Sequence, residues 1–224
     1  MKNYRLLLEV NKFKHFNPKN NKSPASQVNC VFFTDRKKIS QPCQLLNFLP
    51  KNSAIIFREY DLSPSERFIQ AQKIFNEIKK YPQKNLKFLI GKDFALAIKI
   101  KADGIHYSDH DLLTNKNFAK VNLPKKFIFS IALHHPKNCF LLKKFKTNLV
   151  FFSPIFQSTT HPSRSGIGVH KFSRLLIKNK YFVNSTNFTP RIFALGGINL
   201  SNIKQIRILK IAGFGAIDLF KIYD

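Results

Sequence analysis

Short apolar runs alternate with helix-patterned segments along most of this chain, and that alternation limits the fold more than any other feature. The runs are CVFFTD, SAIIFREYD, KFLIGKD, DGIHYSD, FIFSIALHH, NLVFFSPIF, RIFALGGI and GFGAIDLF. Strands that are apolar on both faces belong to parallel sheets covered by helices, so each run followed by a helix reads as part of a βαβ unit. The clearest helix follows the second run. Ser63 is placed to cap it, Pro64 to open it and Glu66 to close a capping box, while Phe68, Ala71, Ile74, Phe75 and Ile78 recur at helical spacing. Eight such units in roughly 200 residues predict an α/β protein, a single (β/α)8 TIM barrel rather than an open doubly wound sheet.

The ends of the chain depart from the rhythm. Residues 1–28 are polar and rich in Lys and Asn, and read as an N-terminal arm with a short strand or helix at Leu6–Val10. Residues 29–224 are the barrel domain. The first helix, near Gln44–Leu49, is short. The chain stops almost at once after the eighth strand, so the last helix is expected to be missing or vestigial, a gap the arm is placed to cover.

In a barrel of this kind, chemistry sits where the strands run into their C-terminal loops. Those ends carry Asp35; Arg58, Glu59 and Asp61; Asp93; Asp109 and Asp111; Ser130 to His135; Ser158 to His161; Gly196 and Gly197; and Asp218. Loops are polar in any protein, so no single one of these residues makes a site. Their collection on one rim does point to one. Of twelve acidic residues, eight lie from Glu59 to Asp111, and none lies between Asp111 and Asp218. The second half therefore carries an unopposed positive field suited to a phosphorylated ligand. Gly196 and Gly197 stand together although the chain has only eight glycines, and a helix-patterned segment follows them. Such a pair is either a tight turn or a backbone cradle for an anion, and on its own residues the turn is the better reading.

Other classes are poorly supported. The formal net charge of +26 attracts polyanions, but the cations are mostly Lys spread along the chain beside Asn, Ile and Phe. That distribution is compositional bias rather than a nucleic-acid patch, so a nucleic-acid partner is not expected. Cys30, Cys43 and Cys139 are scattered, odd in number and without metal-ligand spacing. Buried free thiols are the better reading, with one reactive cysteine as the alternative. No apolar run reaches the ~20 residues of a membrane span, and no signal-peptide core stands at the start, so a cytoplasmic location is expected.

Six stretches in order resemble the thiamine phosphate synthase/TenI family: IIFREYDLS, FLIGKDFALAIKIKADGIHYSDHDL, FSIALHHPKN, VFFSPIFQSTTHPSRSGIGVHKFSRLL, IFALGGINLSNI and GFGAIDLF. Together they span about residues 29–222. The resemblance implies that Gly196 and Gly197, with Ile198, hold a thiazole phosphate through backbone N–H groups. Arg58, Ser158, Thr160 and Gly168 complete the implied ligand site. It also implies that His134, closing the fifth strand, is the acid/base, with neighbouring His135 as the alternative match. His106, inside the fourth strand, reads as structural.

The chain departs from the synthase pattern, in which Mg²⁺ and cations handle a diphosphate. The family's strand-two Gln and Lys fall on Ile56 and Tyr60, its strand-three Asn-Asp pair on Gly91 and Lys92, and its strand-six Lys on His161. Asp111 is kept and Asp93 lies one residue late, so Asp111 and Glu59 stand as remnants for metal or acid/base work. The pattern therefore implies the thiazole tautomerase branch, a proton shift without cofactor on a small phosphorylated thiazole. The alternatives are a divergent synthase that needs Mg²⁺ and a pyrimidine diphosphate, and a non-catalytic phosphate-binding barrel. A homo-oligomer stays open.

Overall fold

The computed structural model describes residues 9–10, 23–114, 123–158, 165–178 and 190–223. Eight strands form a closed, all-parallel barrel in sequence order, with the last pairing the first. They are β1 Cys30–Phe33, β2 Ser53–Phe57, β3 Lys87–Gly91, β4 Gly104–Ser108, β5 Ile128–Leu133, β6 Leu149–Phe152, β7 Arg191–Leu195 and β8 Gly213–Ala216. The helices are α1 Pro42–Leu45, α2 Pro64–Ile78, α3 Phe94–Lys99, α4 Asp109–Thr114, α5 Phe140–Lys144 and α6 Val169–Lys178. This is the predicted (β/α)8 barrel.

The period-two alternation of each strand divides its residues between two cores. Val31, Phe33, Ala54, Ile56, Leu89, Phe151 and Phe193 fill the barrel interior. Phe32, Ile55, Phe57, Phe88, Ile105 and Phe129 face the helices. The aromatic residues that crowd the sequence supply much of both layers. Phe33 and Phe151 meet edge to face at 5.1 Å inside, and Phe152 meets Phe172 of α6 at 5.0 Å outside.

The helical layer is thinner than the sequence rhythm predicts. The capping box of α2 forms as expected: the Ser63 side chain accepts from the Glu66 amide and the Glu66 carboxylate accepts from the Ser63 amide. α1 covers four residues and begins two before the expected Gln44. After β7 the expected helix is a 3₁₀ run, Ile203–Ile208, and after β8 another, Asp218–Tyr223. The second of these short tight turns is the vestigial last helix.

The N-terminal end of the barrel is plugged from within the chain. Ala25 and Val28 are buried among the interior residues. Arg191, itself buried at the start of β7, donates from Nε at 3.1 Å and from a terminal nitrogen at 2.6 Å to the Val28 carbonyl. Asn148 donates to the Ser23 hydroxyl at 2.9 Å. Earlier in the chain, Glu9 and Val10 are buried; Glu9 receives the Arg207 guanidinium, and Val10 joins the outer core. One end is therefore closed, and the other is left for a site. Among the described residues, no helix is long and apolar enough to cross a membrane.

Candidate active site at the barrel mouth

A cavity of about 490 Å³ opens at the C-terminal ends of the strands. That volume suits a small molecule. Its floor is aromatic and neutral. Phe33 and Phe151 pack edge-on against the His106 ring at 5.3 and 5.8 Å. His106 Nδ1 hydrogen-bonds the buried Ser130 hydroxyl at 2.8 Å. Burial, reinforced by the Arg58 cation, pushes the His106 imidazole down to about 3. It therefore stays uncharged at neutral pH. His106, structural by its place inside β4, is buried and also lines the cavity.

The β2–β4 wall carries charged side chains. Arg58 continues the inward phase of Ala54 and Ile56, and its guanidinium lies 5.5 Å from the centre of the Phe33 ring. Its buried Nε has no hydrogen-bond partner among the described residues. Its backbone N–H donates to Thr34 Oγ1 at 3.0 Å. Lys92, at φ +61, places its ammonium 2.7 Å from Asp111 Oδ1 and 4.8 Å from the centre of the Tyr60 ring. Asp111 Oδ2 accepts from the Ser108 amide at 2.9 Å and hydroxyl at 2.6 Å. Burial opposes ionisation of Asp111, but the hydrogen bonds from Lys92 and Ser108 outweigh it and hold the carboxyl below its usual range. Tyr60 is 45% exposed as a whole. Burial of its phenol nevertheless pushes it up to about 12, against the lowering effect of Arg58, so it stays protonated.

His134 follows β5 in the inward phase of Ser130 and Ala132, and its side chain is 35% exposed at the cavity. Its Nδ1 lies 2.8 Å from Asp109 Oδ1. Its backbone N–H donates to Asp109 Oδ2 at 2.9 Å, and Asn138 Nδ2 donates to the same oxygen at 2.8 Å. Asp109 is 2% exposed at the start of α4. Burial alone would raise its pKa, but these hydrogen bonds hold its carboxyl far below the usual carboxylate range. His135 instead caps the 3₁₀ turn Pro136–Cys139, accepting from the Lys137 amide, and lies outside the cavity lining.

The β6–β8 wall is built from backbone. Gly196 and Gly197 adopt φ +93 and +67, a region closed to most side chains. The carbonyls of Leu195 and Gly196 accept from the amides of Ile155 and Phe156 at 2.8 and 3.1 Å, and that of Gly197 accepts from Asn202 Nδ2 at 2.7 Å. Among the described residues, the amides of Gly197 and Ile198 meet no acceptor. Both residues line the cavity with Ser158. This is the arrangement an anion cradle requires.

The structure thus brings Arg58, Asp111, His134, Ser158, Gly196, Gly197 and Ile198 to one cavity. Two other sequence candidates fall elsewhere. Glu59 is out of phase with Arg58 and is buried on the helix side of β2, lining a separate cavity of about 410 Å³ with Gln70 and Ile74. Strand alternation turns it away from the mouth. Gly168, at φ +76, starts α6: its carbonyl accepts from Phe172, and its N–H is spent on Ile155. Thr160 lies outside the described residues, as does His161. Asp109, by contrast, stands in the sequence only as one polar strand end among several.

Comparison with known proteins shows the family. The thiamine monophosphate synthase family profile matches residues 30–218. The chain belongs to this family. A candidate thiamine-phosphate synthase of Aquifex aeolicus (strain VF5) is 26% identical over 195 residues, covering 84% of this chain and 94% of that one. A thiamine-phosphate synthase of Hydrogenobaculum sp. (strain Y04AAS1) is 22% identical over 188 residues, covering 84% and 80%. Among solved structures, thiamine phosphate pyrophosphorylase from Pyrococcus furiosus superposes with a TM-score of 0.64 at 14% identity, covering 87% of this chain and 91% of that one. That likeness is one of fold.

Proposed function

We propose that this member of the thiamine monophosphate synthase family acts in thiamine biosynthesis on a phosphorylated thiazole, as a tautomerase-like enzyme with His134 as acid/base. The observation that carries the reading is the His134 imidazole at the cavity, fixed through Nδ1 on buried Asp109. A proton shift that aromatises a thiazole ring needs a group that takes a proton from one atom and returns it to another near neutral pH. The electron pair of the broken C–H bond enters the ring, and no other reactant is consumed. The substrate phosphate rests on the Gly197 and Ile198 amides beside Ser158. Arg58 offers a cation at the opposite wall.

The synthase reaction needs Mg²⁺ held by carboxylates, and the residues present do not fit that ion. Both Asp111 oxygens are engaged, by Lys92 and by Ser108. Asp93 Oδ1 caps α3, and its Oδ2 pairs with Arg67 at 2.9 Å. Among the described residues, no three His, Cys, Asp or Glu side chains gather at a metal-binding spacing. An ammonium stands where a metal would need an open carboxylate. The synthase names of the relatives, together with Arg58 and Lys92 as two cations on one wall, keep a divergent synthase as the second reading.

Incubation with each thiamine precursor, with and without Mg²⁺, tests the choice. The expected result is an aromatised thiazole phosphate formed without Mg²⁺ and without pyrophosphate. Magnesium-dependent thiamine phosphate formation supports the second reading instead. Ligand binding without turnover of either precursor supports a binding module.

A further inference from the structure

We infer that Asp109 is the positioning residue for His134, holding the imidazole in the tautomer that carries its proton on Nδ1 and presents the Nε2 lone pair to the cavity. The inference rests on the acid/base reading of His134 given above, but its geometry stands apart from any substrate. Asp109 Oδ1 lies 2.8 Å from His134 Nδ1, and Asp109 Oδ2 accepts the backbone N–H of the same residue at 2.9 Å. One carboxylate therefore grips the histidine at both main chain and ring, which fixes the ring's rotation as well as its place. An ionised carboxylate only accepts hydrogen bonds, so Nδ1 must donate. In the neutral imidazole the other nitrogen is then the base. The carboxylate also stabilises the imidazolium that forms when Nε2 takes a proton.

A purely structural role for Asp109 is the competing explanation, because the carboxylate also gathers the turn after β5 through Asn138 Nδ2 at 2.8 Å and accepts the His110 amide at 3.0 Å. The donor pattern separates the two roles. Four donors converge on Asp109: the His134 amide and Asn138 on Oδ2, and His134 Nδ1 and the His110 amide on Oδ1. A carboxamide at this position can accept on one side only. The imidazole alone among the four donors becomes an acceptor by moving a proton. Asp109→Asn thus turns its NH₂ to Nδ1, keeps the bonds that the His134 amide and Asn138 make to the other oxygen, gives up only the bond from the His110 amide, and drives the ring proton to Nε2, where it blocks the base.

The test is nitrogen-15 NMR of the histidine rings at pH 8, with His134→Asn used to assign the signal, alongside steady-state kinetics. The parent is expected to carry the His134 proton on Nδ1. Asp109→Asn is expected to carry it on Nε2, with kcat lower by about 10²–10⁴-fold and KM changed by less than about threefold. A parent with the proton on Nε2 overturns the inference, and so does an Asn variant with parental kcat. If Asp109→Asn does not fold, the parent spectrum alone decides. A parent with the Nδ1 proton but no turnover on the thiazole keeps the positioning and removes the proposed function.

Discussion

The two walls of the cavity are built in different ways. From β2 to β5, the rim presents side chains, and its carboxylates are already matched: Asp93 to Arg67, Asp111 to Lys92, Asp109 to His134. From β6 to β8, the glycine pair presents backbone amides, in the stretch of sequence that contains no acidic residue before Asp218. A wall of matched side chains can hold a histidine in one state and keep it from being drawn into a metal site. A wall of free amides in a positive field can hold an anion without changing its chemistry. On the proposed function, proton transfer falls to the first wall and phosphate binding to the second.

If the walls divide the work, damage to each should register differently. The largest effect is expected from His134→Asn, which should lower the aromatisation rate by about 10²–10⁴-fold while ligand affinity by calorimetry stays nearly constant. If affinity falls as far as rate, the walls are not separate. Next comes Gly197→Ala, which should weaken phosphorylated-ligand binding by about tenfold or more and destabilise the protein by about 1–3 kcal/mol. The cause is internal: a Cβ at this position would lie 2.7 Å from the Phe156 carbonyl oxygen and also collide with that of Gln157. The side chain thus displaces the β6 loop rather than touching the ligand. Unchanged affinity in this variant would make the glycines a turn and nothing more. Smaller still, millimolar Mg²⁺ should move the melting temperature of the ligand-free protein by less than about 1 °C, because RT ln(1 + [L]/Kd) is negligible without a site. A rise of several degrees would show that the matched carboxylates open to a metal.

A further prediction, read on stability alone, concerns the floor. His106 is neutral in the folded protein down to about pH 3, while in the unfolded chain it titrates near its ordinary value of 6.5. Its folded pKa is depressed, so its contribution to stability is present above pH 6.5 and is lost progressively as pH falls from 6.5 towards 3. His106→Gln should flatten the fall in melting temperature between pH 7 and 5. Asp109 does not confuse this window, because its depressed carboxyl affects stability only below its ordinary value of 3.8. Parallel slopes in parent and variant would show that His106 is not the titrating group.

Much of this was legible because it follows from strand alternation. The phase Ala54, Ile56, Arg58 points Arg58 into the barrel, and Ser130, Ala132, His134 does the same for His134. The same phase turns Glu59 outward, so its exclusion from the mouth was present in the sequence and needed only parity, not composition, to find. Gly168 misled for a different reason: its positive φ serves the start of α6, and nothing in a lone glycine distinguishes a helix start from a cradle. Asp109 was the hardest to see. Its partner is 25 residues away, and the contact forms only when the end of β4 is laid beside the end of β5. The 3₁₀ run at Ile203–Ile208 shows the limit of periodicity, since SNIKQIRILKIA carries a helical pattern that settles into tighter turns.

The most direct test of the division between the walls is a single reaction series read for two products. Purified protein is given the thiazole carboxylate phosphate, alone and with the aminopyrimidine diphosphate, with Mg²⁺ or with a chelator, and aromatised thiazole and pyrophosphate are measured together. Aromatised thiazole is expected at the same rate in chelator and in Mg²⁺, with no pyrophosphate in either and loss of the product signal in His134→Asn. Pyrophosphate release that requires Mg²⁺ and survives His134→Asn would contradict the division.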